Sequence, residues 1–187
     1  MKIVNIISGL GNGGAEGVLY RLCKNDTENK HIVISFQDEG KYGALLRKAG
    51  VNVFCLNMNI GRIRIYDFFR LFKLLLKVKP NIIQTWMYHA DFFGGITARL
   101  AGYKNIFWNI RHAKLLPSDS KKTTRILANL SARLSGIIPK HIICCAEESL
   151  RIHFELGYKK SKMTVVANGY DISLFKPSEE LRLSFRN

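Results

Sequence analysis

Residues 2–22 read KIVNIISGLGNGGAEGVLYRL, and this stretch decides the fold. The apolar run from Ile3 to Ile7 has the length and β-branched content of a buried strand. Glycines follow at Gly9, Gly11, Gly13 and Gly14, and an amphipathic stretch opens at Ala15. A strand that turns through glycines into a helix is the first unit of an α/β sheet. It can also cradle a phosphate, because glycine lets backbone approach a ligand and the helix start offers unpaired N–H groups and about half a positive charge. Gly9, Gly11 and Gly14 give the spacing G-x-G-x-x-G. A dinucleotide site needs an acid about 20 residues further on, and Asp38 and Glu39 come near that position. Against a pyrophosphate stands Glu16, whose carboxylate in the first turn already uses the helix field. A phosphate or glycan loop, a dinucleotide loop and a plain structural turn are all open readings of these residues.

The same alternation runs along the chain. Apolar runs predict strands near 2–8, 31–36, 51–57, 81–86, 105–110, 141–145 and 163–167, and amphipathic runs predict helices near 14–25, 41–49, 65–78, 89–102, 121–136 and 146–157. Mostly continuous apolar runs such as IVISF and NIIQTW fit parallel strands buried on both faces. Gly50, Gly102 and Gly157 each follow a predicted helix, where a left-handed cap favours glycine. Pro80 and Pro139 stand just before strands, which a sheet tolerates. The expected fold class is α/β, a mostly parallel sheet of about seven strands with helices on both faces. The longest irregular piece, RHAKLLPSDS at 111–120, is a basic loop after a central strand and so a candidate for ligand contact.

A length of 187 residues with 47 % hydrophobic content suits one domain with a sizeable core. The start is too short and too weakly flanked for a secretory signal, and no apolar run reaches the ~18 residues of a membrane span. Cys23, Cys55, Cys144 and Cys145 show neither metal spacing nor a disulfide framework, so free thiols are expected, the adjacent pair on opposite faces of a strand. The net charge is +15, and between Lys41 and Ala146 eighteen Lys and Arg face only Asp67, Asp91 and Asp119. Such a field implies an anionic partner. Zinc, helix-turn-helix and RNP patterns are missing, so nucleic acid is not the expected one. In residues 62–79, RIRIYDFFRLFKLLLKVK, Arg70, Lys73 and Lys77 share a helical face, and Lys121, Lys122 and Arg125 extend the bias. Two readings are open: a crossover helix with a solvated basic face, or a surface that also meets an anionic membrane.

Three further stretches carry a resemblance. Residues 163–177, MTVVANGYDISLFKP, are similar to the interdomain linker pattern V-x-N-G-x-D-x-x-x-F-x-P of the family 4 glycosyltransferases. GNGGAEGVLYRL resembles that family's G-G-A-E-x-V-L-x-x-L opening, and residues 79–95, KPNIIQTWMYHADFFGG, resemble its K-P-D-V-V-Q-T-W-M-x-H-A-D-x-x-G-G, with Asn81 in place of the usual Asp. Residues 107–112, FWNIRH, match a strand that ends, in many relatives, in a catalytic-site His. Arg111 takes that slot here and His112 follows it, as in the branch that carries W-x-I-R. The likeness spans residues 2–177.

The resemblance implies a Rossmann-like three-layer sandwich over residues 1–177, with 178–187 opening the linker to a C-terminal domain. It implies half of a two-domain GT-B enzyme that retains anomeric configuration and takes a sugar from a nucleotide-sugar held mainly by that other domain. The acceptor would be a glycan, polysaccharide or lipid-linked sugar, as in polysaccharide or cell-envelope biosynthesis. The expected place is the cytoplasmic face of the inner membrane, with no metal and no resident cofactor, and this half alone would be inactive. Gly13, Gly14, Glu16, His89, Asp91, Asn109 and Arg111 become candidate substrate or phosphate ligands. Arg111 and His112 are the candidates for a catalytic role, a guanidinium fork suiting phosphate or carboxylate. His89 and Asp91 have a second reading as caps of the next helix. Arg70, Lys73, Lys77, Lys121, Lys122 and Arg125 form the candidate membrane patch. Glu147 and Glu155 copy the family's E-x7-E spacing, but they precede the linker and read as an ordinary solvated helix. The alternatives are a nucleotide-dependent oxidoreductase domain built on the glycine loop, and a non-catalytic module for anionic lipid or polymer.

Overall fold

The computed structural model describes residues 1–59, 64–112 and 121–169, together with Arg182 and Ser184. The strands are β1 (Lys2–Ile7), β2 (Lys30–Ser35), β3 (Asn52–Cys55), β4 (Ile82–Trp86), β5 (Ile106–Ile110), β6 (His141–Cys144) and β7 (Met163–Val165). The helices are α1 (Gly14–Asn25), α2 (Gly40–Lys48), α3 (Ile65–Val78), α4 (Gly95–Leu100), α5 (Lys122–Leu134) and α6 (Glu147–Glu155). The seven strands form one sheet in the order β3-β2-β1-β4-β5-β6-β7, and every neighbouring pair is parallel. The chain winds outward from β1 to β3 and restarts at β4 on the other side of β1, so the helices change face at that point.

Two cores result, because side chains alternate across a strand. On one face Leu19 and Cys23 of α1 and Leu46 of α2 pack with Ile7, Val33, Val53 and Trp86. On the other, Leu71 and Leu75 of α3, Ala98 of α4, Ala132 of α5 and Leu150 of α6 pack with Val4, Ile34, Ile83, Trp108 and Ile142. This is the expected Rossmann-like three-layer α/β sandwich. The faces are not covered alike. Among the described residues α1 and α2 are the helices of the first face, and they sit over β1–β3. There β5–β7 present Phe107, His141, Ile143 and Thr164, all at least partly exposed.

The caps expected from sequence are present: Gly50, Gly102 and Gly157 have φ of +79°, +88° and +100°. The edge strands β3 and β7 are shorter than predicted, since each has a ladder on one side only. The helix predicted over 89–102 opens as a π-helical turn, Ala90–Gly94, before α4. Its glycines lie directly on the sheet. A methyl group on Gly94 would stand 3.1 Å from Ile6 Cγ2, and one on Gly95 2.9 Å from Trp108 Nε1. Most of the basic loop, 113–120, and the linker residues Asp171, Phe175 and Pro177 lie outside the described residues, as does the expected boundary at 177.

Candidate functional site

An open α/β sheet gathers ligands at the carboxyl edge where its winding reverses. Here that crevice lies between β1 and β4. The loop Ser8–Gly13, the turn Met87–His89 and the end of β5 at Asn109–His112 meet this edge. So Gly13, Gly14, Glu16, His89, Asn109 and Arg111 all lie at the end of the sheet that the sequence assigned them.

Gly13 is the extended residue before α1, and no side chain caps the helix. A methyl group on Gly11 or Gly14 would meet nothing within 4 Å, and neither has the positive φ that demands glycine. These two glycines are required neither by packing nor by backbone strain. Both are exposed, Gly11 in the loop and Gly14 at the uncapped start of α1, so the backbone there is open to a ligand. Gly40 differs: its φ is +51°, and a side chain there would strike the Leu10 carbonyl, so it supports the loop from below. The Glu16 carboxylate folds back over Gly13. The start of α1 thus offers N–H donors beside a carboxylate acceptor, a set that suits a hydroxyl-rich ligand better than a bare pyrophosphate. Of the two acids near the dinucleotide position, Asp38 and Glu39, Glu39 pairs with Arg47 at 2.7 Å.

The turn after β4 corrects the reading of Asp91. Met87 takes φ +73°, uncommon for a residue with a side chain, and the chain swings sharply into the π-helical turn. Asp91 is fully buried on the α3–α6 face and accepts a hydrogen bond from Thr85 Oγ1 at 2.5 Å. It neither faces a cleft nor caps a helix; it ties the turn to β4. Its other oxygen has no hydrogen-bond partner, and burial raises its pKa well above the usual carboxylate range. His89 is half-buried at the edge, its pKa lowered by burial and by nearby Lys121. Behind it Tyr88 O–H meets His153 Nε2 at 2.7 Å, and His153 Nδ1 meets the Ser149 carbonyl at 2.6 Å. The carbonyl requires Nδ1 to carry the proton, so Tyr88 donates and His153 is neutral. Ser149 Oγ donates in turn to the His112 carbonyl at 3.2 Å, which locks the end of β5 to α6.

Arg111 lies 4.9 Å above the Trp86 ring. Nη1 donates to Asn168 Oδ1 at 2.7 Å and Nη2 to Asn109 Oδ1 at 3.3 Å. Burial lowers its pKa, while Nε has no partner. The fork therefore clamps the Asn-Gly segment after β7 to the end of β5. Below it runs a network that the sequence did not announce. Trp86 Nε1 donates to Asn5 Oδ1 at 3.2 Å, Asn5 Nδ2 meets His31 Nδ1 at 3.2 Å, and His31 Nε2 meets Asp26 at 2.9 Å. The one available signal was Asn5, a polar residue inside a buried apolar run. Arg111 and Asp26 stand at opposite ends of a groove of about 700 Å³ along α1, lined also by Val18, Leu22, Trp86 and Val166. The groove is walled by α1, by Trp86 and Arg111 at the carboxyl edge, and by the segment after β7, and the glycine loop is not part of its lining.

The remaining predicted residues divide. Lys73, Lys77, Lys121 and Lys122 are exposed. Arg70 is half-buried and donates to the Leu56 carbonyl at 2.6 Å, and Arg125 is half-buried too. Helix α3 packs on α4, and α5 packs on the π-helical turn, so the two basic groups sit on separate helices of one layer. Glu147 and Glu155 are exposed on α6, and Glu155 pairs with Arg151 at 2.7 Å, as expected of a solvated helix. All four cysteines are free, and burial pushes the Cys23 and Cys144 thiols up to about 12. Among the described residues no helix is long and apolar enough to cross a membrane, and no three His, Cys, Asp or Glu gather as metal ligands would.

Known proteins are similar to this chain in sequence or in fold. Over 109 residues the chain is 28 % identical to the Escherichia coli UDP-Gal:alpha-D-GlcNAc-diphosphoundecaprenol alpha-1,3-galactosyltransferase, a match of 58 % of this chain and 28 % of that one. Anabaena HepE in complex with UDP superposes with a TM-score of 0.80 at 20 % identity, over 100 % of this chain and 50 % of that one. The apo lipopolysaccharide outer core galactosyltransferase WaaB gives 0.65 at 16 % identity, over 92 % and 47 %. Acinetobacter baumannii MurG gives 0.61 at 12 %, over 91 % and 47 %. These structures share the fold, and the chain spans about half the length of each and less of the curated relative. Residues 12–174 match the sequence profile of Glycosyltransferase Family 4, and the chain belongs to that family.

Proposed function

We propose that these residues are the acceptor-side, N-terminal half of a retaining GT-B glycosyltransferase. It moves a sugar from a UDP-sugar to a glycan or lipid-linked acceptor at the cytoplasmic face of a membrane. The observation that carries the reading is the space kept open above Gly11 and Gly14, at the uncapped start of α1 and beside Glu16. UDP occurs in the HepE structures, and a lipid diphosphate sugar is named for the E. coli relative. The nucleotide is held mainly by a second domain, and no resident cofactor or metal takes part. The glycine loop, Glu16 and His89 form the wall against which the acceptor rests. Arg111 is a positioning residue: through Asn168 it sets the direction in which the chain leaves β7, and so how a second domain faces this wall. Holding two reactants in reactive geometry is worth many orders of magnitude, and half of the cleft supplies little of it.

The test is transfer of labelled sugar from UDP-sugars by the natural protein that contains these residues, with the 187-residue chain alone as control. The isolated chain should be silent. In the natural protein, Gly14→Val should cut transfer at least roughly tenfold by filling the crevice, with the far-ultraviolet spectrum unchanged. Arg111→Ala should raise KM and lower kcat together, as hinge-type changes do. Full transfer by Gly14→Val, or robust turnover by the isolated chain that depends on Glu147 or Glu155, would sink the reading.

A further inference from the structure

Helix α3 has two apolar faces. One is ordinary: Leu71, Leu75 and Val78 pack on the sheet, and Asp67, the only acid of the helix, is buried with them. The other points outward. Ile65 is 76 % exposed, Phe69 54 % and Leu76 45 %, and half-buried Phe72 completes the row. The spacing 65, 69, 72, 76 puts these side chains in one stripe along about 17 Å of helix. Tyr66, Lys73 and Lys77 lie on the flank of the stripe, with Arg64 and Lys79 exposed at its two ends. A soluble crossover helix needs one apolar face, and a second one edged with cations needs another explanation.

We propose that the outward stripe of α3 inserts into an anionic bilayer, with Ile65, Phe69, Phe72 and Leu76 among the acyl chains and Lys73, Lys77, Arg64 and Lys79 at the headgroups. This rests on the reading of the acceptor as lipid-linked, and it makes docking a matter of hydrocarbon burial on one helix. It differs from a diffuse basic patch shared with α5. Charge selects the occupant. A second copy would bring the same four cations face to face, whereas anionic lipid complements them. The first turn adds a second argument. Under Ile65 lies a cavity of about 180 Å³ walled mainly by Phe36, Met58, Phe68, Leu71 and Phe93, with Arg64, Asp67 and Thr97 as its polar members. Its lining suits a hydrocarbon chain, and Ile65 belongs to both cavity and stripe.

Phe69→Trp turns the stripe into a depth probe. With vesicles of phosphatidylcholine and phosphatidylglycerol, its emission should shift to the blue and be quenched by lipids brominated on the acyl chain. Phe69→Ser with Leu76→Ser removes exposed side chains only. Its partition into the same vesicles should fall about tenfold or more, with the circular dichroism unchanged. Lys73→Gln with Lys77→Gln should weaken binding by a similar factor at low salt and by less at high salt. Binding without acyl-chain quenching, or binding lost with Lys121→Gln and Lys122→Gln but kept without Phe69 and Leu76, would overturn the proposal. So would a concentration-dependent dimer in sedimentation that Phe69→Ser with Leu76→Ser dissolves. None of these readouts needs sugar transfer. Insertion without any transferase activity would leave this surface standing and fell the enzymatic reading, and transfer without insertion would do the reverse.

Discussion

The two faces of the sheet are finished to different degrees. On the α3–α6 face all four helices pack down and Trp108, Ile142 and Asp91 are wholly enclosed. On the α1–α2 face, among the described residues, the helices sit over β1–β3, and Phe107, His141, Ile143 and Thr164 of β5–β7 are at least partly exposed, beside the groove that holds Arg111 and Asp26. The enclosed face shows what the fold needs to hold together. The open face shows where the molecule can still take up another surface. Buried polar groups lie on both faces. Asp91 is buried with one oxygen unpartnered, whereas Trp86, Asn5, His31 and Asp26 form a hydrogen-bonded chain that ends at the groove.

The strongest way to break this contrast is to empty the enclosed face. Trp108→Ala removes a fully buried ring packed edge-on against Tyr158. It should cost about 3–5 kcal/mol in denaturant unfolding. A loss under about 1 kcal/mol would mean that the face is not sealed. Ile142→Ala, also fully buried, should cost about 2–5 kcal/mol. Asp91→Asn tests the enclosure through pH. The folded-state pKa of Asp91 is raised, so the fold holds a proton that the unfolded chain releases once pH passes the ordinary Asp value near 3.9. Its contribution is therefore least unfavourable at low pH and worsens as pH rises toward the folded value. Asparagine keeps the acceptor for Thr85 and has no proton to lose. The variant should melt higher than wild type at pH 7, and the difference should shrink toward pH 4. A gap that stays flat across this range would show that Asp91 does not titrate in an enclosed site.

Much of this was legible in the sequence, for reasons that particular residues make plain. Continuous apolar runs fixed the parallel sheet because both faces of a central strand need hydrophobic cover, and Gly50, Gly102 and Gly157 marked helix ends by a local backbone need. The family motifs led to the right edge of the sheet. They could not tell which side chains look into the crevice. His89 and Asp91 are two residues apart, yet one sits at the edge and the other in the core, because the π-helical turn between them rotates the chain. Arg111 was read as a substrate or phosphate ligand and a candidate catalytic group; its fork also meets Asn168, a contact across 57 residues that no local pattern reports. The outward stripe of α3 was hidden for a similar reason. Periodicity shows that the apolar sector of the helix is wide, and only packing shows which part of it stays uncovered.

The sharpest comparison uses two neighbouring residues of one type. Ile142 and Ile143 are adjacent on β6 and share strand, ladder and backbone conformation. Ile142 points into the enclosed core, and Ile143 points to the face beside the groove, where it stays partly exposed. Truncation to alanine removes the same atoms at both sites, so loss of strand propensity nearly cancels between them. What differs is the cavity left behind and the water that can fill it. At Ile143 solvent already reaches the side chain and a neighbour can settle into the gap. Ile143→Ala should therefore cost about 1 kcal/mol, well below the Ile142→Ala loss. Equal losses, measured on the same 187 residues in the same denaturant series, would mean that something covers the second face as fully as α3–α6 cover the first. A loss at Ile143 that grows when a second domain is supplied to these 187 residues would keep the contrast and identify the open face as a docking surface for that domain.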